Sequence, residues 1–295
     1  MNFISCGQCI TKRIFEHVST EKYAILMKLR YNPYQIFRLS KTPVGLYARQ
    51  KWLGEANTPQ WKIDFKATIA ALLADQLPDG SWSCSTIETI KRLFGLHLTV
   101  RSPTVQINAA LAWLLDKIDL QAEKIHVGVE VVTAVASLKG LPFIKSRPDM
   151  LLTGAALFLS SIFGRQNEPN VLSLYQWLSA KSVKNQGRWF DEASTHNILR
   201  AMVVHPVFAE DKATVLAVEH LADLQTDRGD WGHNLPLFQI LNALAHLKLY
   251  QAKKQLEKTF ALLFVNQNSD GTWSHDEPEW NTFLTIHALK NSGLL

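Results

Sequence analysis

Apolar side chains return every three or four positions along most of the chain from Pro43 onward. In the stretch 260–265, Phe-Ala-Leu-Leu-Phe-Val, this spacing places an apolar stripe along a helix. The twelve predicted helices, which make six hairpins, cover 43–54, 61–75, 84–97, 104–117, 123–139, 149–164, 170–181, 191–203, 209–225, 234–249, 251–266 and 279–291. The predicted fold class is therefore all-α.

A turn pattern, Gln-x3-Gly-x-Trp, lies between several of these helices. Complete copies run from Gln76 to Trp82, from Gln225 to Trp231 and from Gln267 to Trp273, and the last two copies are 42 positions apart. A degenerate copy, Gly187-Arg188-Trp189, lies another 42 positions earlier and lacks the Gln. A fixed period of about 20–50 residues indicates a repeat architecture, in which each unit needs its neighbours to bury its apolar face.

Each residue type in this turn has a physical role. Asp-Gly pairs such as Asp79-Gly80 form turns, because Asp hydrogen-bonds its own backbone and Gly accepts a positive φ. The Gln follows an apolar helix, so we expect its side chain to bond the backbone groups that the end of that helix leaves unpaired. The Trp covers the turn with a flat face and has an indole N–H that needs a partner. Each copy is therefore predicted to join one helix to the next.

The turn series resembles the QW motif of the terpenoid cyclase superfamily, which includes squalene–hopene cyclases and protein prenyltransferases. The likeness runs from Gln76 to Trp273 and so covers most of the chain. The resemblance implies a ring of paired helices, an (α/α)6 toroid of about twelve helices around a central cavity. It also implies an isoprenoid or another apolar polyene as the small-molecule partner.

Length favours one large domain. Six hairpins of about 42 residues need roughly 250 residues, so we assign 41–295 to the toroid domain and 1–40 to an N-terminal arm. The arm is predicted to hold a helical stretch over 11–29 and a break at Asn32-Pro33. The Trp residues of the first and third copies are 107 positions apart, which is not a whole number of periods, so the alternation of inner and outer helices is expected to break between 104 and 181.

Composition narrows the class of protein. Hydrophobic residues make up 47% of the chain and charged residues 19%, which supports a packed core. The net charge of +5 permits anionic partners, but the basic residues are scattered, so no nucleic-acid binding is expected. The first residues lack the apolar core of a secretion signal and the three cysteines form no even framework, which predicts a cytoplasmic protein. The longest apolar run, 150–164, is too short to span a membrane, although peripheral membrane association is compatible with the superfamily.

No metal or cofactor is predicted. The pair Cys6 and Cys9 has the spacing of half a zinc site, but only Cys84 and scattered histidines would complete the four ligands. The Asp-x-Cys pair with which protein prenyltransferases hold zinc does not occur. Asp116 and Asp119 are a DxxD pair at a predicted helix end, where a solvated surface is the favoured interpretation.

The segment 189–195, Trp-Phe-Asp-Glu-Ala-Ser-Thr, resembles the class II terpene cyclase motif Asp-x-Asp-Asp-Thr. In that motif the middle Asp protonates an alkene or an epoxide. Asp191 and Thr195 match the first Asp and the Thr, whereas Ala193 replaces the middle Asp and Ser194 replaces the last. Since neither a methyl nor a hydroxyl group can protonate an alkene, either Asp191 or Glu192 provides the acid, or the barrel no longer runs this reaction.

The candidate catalytic residues are Asp191, Glu192 and His196, in which carboxylates and an imidazole could act as acid and base. The alternative is plain helix capping, because Ser, Thr and Asp favour the position before a helix and Glu favours its first turn. His275, Asp276 and Glu277 follow the last turn copy and are expected near the mouth of the barrel.

The candidate substrate-binding residues follow the turn copies at the starts of the predicted inner helices. Aromatic faces there could stabilise a carbocation in an apolar cavity, or they could be plain core. These residues are Glu88, Phe190, Phe238, Trp280 and Phe283. The predicted function is cyclisation or isomerisation of an isoprenoid, and the alternatives are a non-catalytic toroid that binds a lipid or a protein and an enzyme with a non-terpenoid substrate.

Overall fold

The structure is a computed structural model that describes residues 29–118, 138–233 and 235–295. These residues form eleven α-helices and three short 3-10 helices. They contain no strand, and their only β-type pairing is an isolated bridge between Gln76 and Trp82. The predicted all-α fold class is confirmed.

The α-helices are numbered in chain order, as α1 Pro43–Lys51, α2 Pro59–Leu73, α3 Thr86–Thr99, α4 Val105–Asp116, α5 Pro148–Ile162, α6 Pro169–Lys184, α7 Glu192–Met202, α8 Lys212–Leu224, α9 Leu237–Leu244, α10 Tyr250–Val265 and α11 Pro278–Asn291. Six of them begin after a side chain that accepts a hydrogen bond from the backbone N–H of the first turn, the standard N-cap. The capping residues are Thr42, Thr58, Ser85, Thr104, Asp191 and Asp211.

Most helix predictions agree with the structure to within three residues at each end, and one is wrong in length. The helix predicted over 234–249 spans only Leu237–Leu244, because the amides of His246 and Leu247 bond carbonyls three residues back and close the helix in a tight turn. The predictions at 11–29 and 123–139 lie outside the described residues, apart from Leu29 and positions 138 and 139, which are not helical.

The odd-numbered helices pack against one another in chain order. α1 packs against α3, α3 against α5, α5 against α7, α7 against α9 and α9 against α11, and α11 packs against α1. These helices lie deep in the molecule: α5 is buried at every position from Asp149 to Ser160, and α7 from Ser194 to Met202. A helix that is buried on all sides must be enclosed by other elements.

The even-numbered helices pack around the odd series. α2 contacts α1 and α3, α4 contacts α3 and α5, and α6, α8 and α10 contact α5, α7 and α9 respectively. The described helices alternate without a break, and the expected break between 104 and 181 is not tested, because part of that range is not described. The residues that make the spacing between the first and third turn copies longer than a whole number of periods lie in the connection between α4 and α5. Positions 119–137 of this connection lie outside the described residues.

The four tryptophans of the turn copies are buried and occupy equivalent positions. Each indole N–H donates a hydrogen bond of 2.8–2.9 Å to a backbone carbonyl in the C-terminal half of the preceding even helix or at its C-cap. The donor and acceptor pairs are Trp82 with Ala74, Trp189 with Leu178, Trp231 with Leu221, and Trp273 with Leu263. The prediction that each indole finds a partner is confirmed.

The glutamines of the turns connect a different pair of elements from the one predicted. Gln76 Nε2 donates to the carbonyl of Gly80 in its own turn (2.8 Å) and to that of Gln106 at the start of α4 (2.9 Å). Gln225 Nε2 likewise reaches Gly229 (3.2 Å) and Gln255 on α10 (3.0 Å). The prediction that Gln bonds the end of its own helix is wrong, since Gln76 and Gln225 each tie one even helix to the next even helix.

The last turn copy holds the N-terminal end of the described chain. Gln267 accepts hydrogen bonds from the backbone N–H groups of Arg30 and Tyr31, and it donates to the Tyr31 carbonyl at 3.0 Å. Tyr31 thus takes the place that an even helix takes in the other copies. Gly271 has a φ of +88°, and a Cβ on it would lie 2.2 Å from the Asn32 carbonyl oxygen, so this turn requires glycine for its conformation and its close approach.

We expect Gln225→Leu to lower the free energy of unfolding by about 1 kcal/mol, because the carbonyls of Gly229 and Gln255 lose the amide donor and are left to share the single hydroxyl of Thr259 as a side-chain donor. Gln251→Leu is the matched control, since its amide bonds only the exposed Glu219 carboxylate, and we expect an effect below ~0.5 kcal/mol. Urea unfolding followed by circular dichroism measures both. Equal effects of the two substitutions would contradict the bridging role of Gln225.

Candidate functional site

Asp191 and Glu192, two of the three predicted acid–base residues, lie exposed at the start of α7. Asp191 Oδ1 accepts a 2.7 Å hydrogen bond from the Ser194 amide and caps the helix. Thr195, the other match to the acid motif, accepts a 2.9 Å hydrogen bond from the Trp189 amide. The motif residues therefore hold the turn copy onto α7, and the capping interpretation of Asp191 is confirmed.

His196, the third predicted acid–base residue, is fully buried one turn further along α7. Its Nε2 lies 3.2 Å from the Pro142 carbonyl, and its Nδ1 has no hydrogen-bond partner among the described residues. Burial lowers the pKa of His196 to about 4, so the ring is neutral at neutral pH. The structure thus separates a buried imidazole from two exposed carboxylates.

The N-terminal ends of α7 and α11 are covered by residues 140–146, whereas the sequence predicted that these first turns open into a cavity. Asn197 on α7 exchanges two hydrogen bonds with the backbone of Ile144 (2.9 and 2.8 Å). Glu277, just before α11, accepts a 2.7 Å hydrogen bond from the Gly140 amide. Phe143 between them is buried against Phe158. This covering segment was not predicted.

The predicted substrate-binding residues divide into two groups. Glu88 forms an ion pair of 2.7 Å with Arg92. Phe190 is 45% exposed, with the cations of Arg147 and Lys181 over its ring, and Phe238 packs half-buried against the core. None of these three lines the cavity described next, whereas Trp280 and Phe283 do.

All six odd helices contribute to a cavity of about 250 Å³, which we call the His–Arg cavity. Its apolar wall consists of Tyr47, Phe94, Leu98, Phe158, Ile162, Val204, Trp280, Phe283 and Leu284. Its polar wall consists of His97, Arg101, Arg200, Asn242, His246 and His287. Most of the polar residues lie in or just after the last turns of their helices, at the opposite end from the covering segment.

The aromatic side chains of the apolar wall pack on one another in a fixed arrangement. Trp280 and Phe283 are stacked with ring centroids 5.6 Å apart, and Phe94 meets Trp280 edge-on at 5.8 Å. Tyr47 meets Phe283 edge-on at 5.3 Å. Contacts of this kind restrict the rotamers of each ring, so the wall is a preformed apolar surface.

The two arginines lie against aromatic rings. The Arg200 guanidinium is 5.2 Å from the Phe158 ring centroid, and that of Arg101 is 4.4 Å from the Tyr47 centroid. Arg200 is only 5% exposed. None of the described residues that line the cavity carries a carboxylate. The positive charges of the cavity therefore have no counter-charge among the described residues of its walls.

Burial and mutual repulsion keep the histidines of the cavity neutral. Burial, together with the positive charges of Arg101 and Arg200, lowers the pKa of His97 to about 3. Burial and then Arg200 lower the pKa of His287 to about 4, and the same two causes hold the pKa of His246 well below its ordinary value. Burial also lowers the pKa of Arg200 to about 9.

A second cavity of about 470 Å³ lies on the other side of the aromatic wall. Phe94, Leu98 and Trp280 line both cavities. Much of its remaining wall is formed by Lys139, which directly precedes the covering segment, by residues 140–141 of that segment, and by the start of α11. A ligand in the His–Arg cavity would thus be separated from the second cavity by three apolar side chains.

In the described ranges, no group of three or more His, Cys, Asp or Glu side chains could hold a metal ion. Cys6, Cys9 and Asp119 lie outside those ranges, so the zinc and DxxD alternatives are not tested. Cys84 is exposed with a free thiol. None of the helices that the structure describes is long and apolar enough to cross a membrane.

The polar wall was not predicted, because the candidate residues were sought in the first turns of the helices, next to the turn copies. His97, Arg200 and His287 lie near the opposite ends of their helices and match no motif. One signal was present: Arg200 follows Ile198-Leu199 and precedes Ala201-Met202, so it interrupts an apolar stretch of a helix. A charge in such a position is buried only where it has a partner or a function.

Comparison with known proteins gives a similar fold. No protein-family model matches the chain. No curated protein matches it. A solved structure described as the crystal structure of a protein from Actinoplanes is similar, with a TM-score of 0.56 and 15% sequence identity, covering 86% of this chain and 89% of the other. At this identity the similarity concerns the fold alone.

Proposed function

We propose that the helices belong to an (α/α)6 toroid of the terpenoid cyclase type. Three observations support this proposal. The odd helices contact one another in an order that returns from α11 to α1. The even helices pack around them, and the Gln side chains of the turns tie neighbouring even helices together. The four turn copies also place their tryptophans in equivalent contacts.

In such a ring the His–Arg cavity is the ligand site, and an apolar, isoprenoid-like molecule is its occupant. The observation that carries this proposal is the preformed aromatic wall to which α1, α3, α5 and α11 contribute. Burial of apolar ligand surface against such a wall gives about 25 cal/mol per Å². At about 250 Å³ the cavity holds a small ligand, and displacement of the three shared side chains would join it to the second cavity.

The geometry supports ligand binding better than catalysis in which a carboxyl group protonates the ligand. A class II acid needs a protonated carboxyl group facing the substrate. The carboxylates of Asp191 and Glu192 are exposed instead, and none of the described lining residues supplies another. The second candidate is cyclisation or isomerisation of the same ligand, which the aromatic faces of Trp280 and Phe283 favour because they would stabilise a carbocation.

Phe283→Ala tests the ligand site. With the uncharged isoprenoid farnesol as the probe, we expect the variant to bind about tenfold more weakly, since an aromatic contact of about 1.5 kcal/mol is lost. Phe190→Ala is the matched control, because this ring is exposed and lies outside the cavity. Titration calorimetry measures both constants. Equal farnesol affinity in the wild type and Phe283→Ala would contradict the proposed site.

Asp191→Asn and Glu192→Gln separate the two candidates. Both substitutions remove a carboxylate, and Asn keeps the ability of position 191 to cap α7. Loss of product from a polyprenyl substrate in either variant would support catalysis by the acid motif. Product formation at the wild-type rate in both would exclude these carboxylates as the acid.

A further inference from the structure

The polar wall of the His–Arg cavity is rich in hydrogen-bond donors, and none of the described residues that line it has a carboxylate to accept from them. Arg101 and Arg200 carry two positive charges, and none of the described lining residues is acidic. Burial of a charge without a counter-charge costs several kcal/mol, so proteins pair such groups or bind an ion there. The two positive charges are therefore not balanced by any of the described residues that line the cavity.

Arg200 gives the strongest evidence that the cavity binds an anion. Its side chain is buried, yet its Nε and Nη1 have no hydrogen-bond partner in the described part of the chain. Arg101 Nη2 is likewise buried with no described partner. Cations are often placed at helix C-termini to bond the last carbonyl groups. Arg200 bonds none of them through these two nitrogens, so capping does not account for it.

The histidines are oriented as donors too. Asn242 Nδ2 lies 3.3 Å from His287 Nδ1, and Asn291 Nδ2 lies 3.4 Å from the same atom and 3.5 Å from His246 Nδ1. An amide nitrogen only donates, so each Nδ1 accepts, and the proton of each neutral ring is on Nε2. Both histidines thus present an N–H from the ring edge that the amides do not occupy.

We infer that the polar wall of the His–Arg cavity is a binding site for a small phosphate-type oxyanion, held by Arg101, Arg200, His246 and His287. A tetrahedral dianion has enough oxygens for two guanidinium groups and two imidazole N–H groups, whereas a carboxylate has only two oxygens. The anion is a free phosphate-type ion or the head group of a phosphorylated apolar molecule. In the second case the tail lies along the aromatic wall, and this version rests on the proposed function.

Binding of the anion is coupled to proton uptake. The ionisable groups that face the site are Tyr47 from α1, His97 and Arg101 from α3, Arg200 from α7, His246 after α9, and His287 from α11, while α5 contributes only apolar side chains. Burial is the main cause of the lowered pKa values of His97 and His287, and the arginines add to it by repelling a proton. A bound dianion offsets that repulsion, so the histidines take up protons as it binds and the affinity rises as the pH falls.

Sulfate is the sharpest probe, because it stays a dianion between pH 6 and pH 8 and any pH dependence then belongs to the protein. We expect titration calorimetry on the full chain to give at least tenfold tighter sulfate binding at pH 6 than at pH 8. Heats measured in two buffers of different ionisation enthalpy should show uptake of protons. Equal affinity at the two pH values would overturn the coupling, and no binding of sulfate, phosphate or pyrophosphate at 10 mM would overturn the site.

Arg200→Gln should weaken sulfate binding by about 30- to 100-fold, as expected for the loss of a buried charge-assisted contact. Arg188→Gln is the matched control, since Arg188 is exposed and lies outside the cavity. Farnesol binding by Arg200→Gln shows whether the cavity has kept its shape, and Arg200→Lys, which keeps the charge, should recover part of the sulfate affinity. Unchanged sulfate binding in a folded Arg200→Gln variant would refute the assignment.

Comparison of farnesyl monophosphate with phosphate identifies the source of the anion. Much tighter binding of the farnesyl ester assigns the site to a phosphorylated apolar molecule, and equal binding assigns it to a free ion. Sulfate binding without farnesol binding would leave the oxyanion site intact and contradict the proposed function. Farnesol binding without sulfate binding would support the proposed function and contradict the oxyanion site.

Discussion

Replacement of Trp273 with alanine is expected to destabilise the protein by about 3–5 kcal/mol, the cost of deleting a large aromatic side chain from a packed core. The Trp273 ring is 1% exposed, and its N–H donates a 2.8 Å hydrogen bond to the Leu263 carbonyl on α10. Its amide donates to Thr282 on α11 at 3.2 Å. The substitution leaves a cavity where α10 and α11 meet and removes the partner of a buried carbonyl. Urea unfolding followed by circular dichroism measures the change.

Two further substitutions separate the contribution of the turn from the general effect of deleting an aromatic side chain. Trp273→Phe keeps most of the apolar surface and loses the indole hydrogen bond, so we expect about 1–2 kcal/mol. Trp177→Ala on α6 is the matched control, since this ring is only partly buried and belongs to no turn copy. If Trp177→Ala were as destabilising as Trp273→Ala, the turn would have no special part in joining the helices.

Acidification from pH 6.5 to pH 4 is expected to destabilise the protein strongly in the absence of anions. The pKa of buried His196 is lowered to about 4 from an ordinary value near 6.5, so the unfolded chain binds a proton that the folded chain does not. The stabilisation is present above pH 6.5 and is lost as the pH falls toward 4, at about 3 kcal/mol for this one group. His97 and His287, whose pKa values are lowered in the same direction, add to the loss.

A pH series of urea unfolding curves for the wild type and His196→Leu measures this contribution. The variant is expected to show a flatter dependence between pH 6.5 and pH 4, because it lacks one group that must take up a proton on unfolding. His233→Leu is the control, since His233 is exposed. A parallel pH dependence in the wild type and His196→Leu would show that His196 does not contribute.

Sulfate and acid should have opposite effects on the free energy of unfolding in these experiments. Sulfate bound in the His–Arg cavity would favour the protonated histidines in the folded state and so reduce the loss of stability on acidification. His196 faces the Pro142 carbonyl and is not among the residues that line the cavity, so its contribution should not respond to sulfate. The two sources of acid lability can therefore be separated by repeating the series with sulfate.

The amino-acid sequence by itself determined the helices and the turns that join them. Both depend on interactions between residues close in the chain: apolar spacing for α10, an N-cap at Asp191, and a glycine at 271 that accepts a positive φ. The recurrence of Trp at a fixed distance from that glycine also predicted a buried indole with a hydrogen-bond partner. Interactions between residues close in the chain produce a pattern in the sequence, so these features could be predicted before the fold was known.

Only the tertiary structure decided which residues form the cavity. His97, Arg200 and His287 are separated by about 90 to 190 positions and come together because three odd helices end side by side. Taken alone in the sequence, each is a polar residue on a helix. Burial and the absence of carboxylates on the described walls give them their chemistry, and both depend on the packing of six helices. The motif at Asp191 shows the converse, because a pattern that suggested an acid lies exposed where the fold uses it as a helix cap.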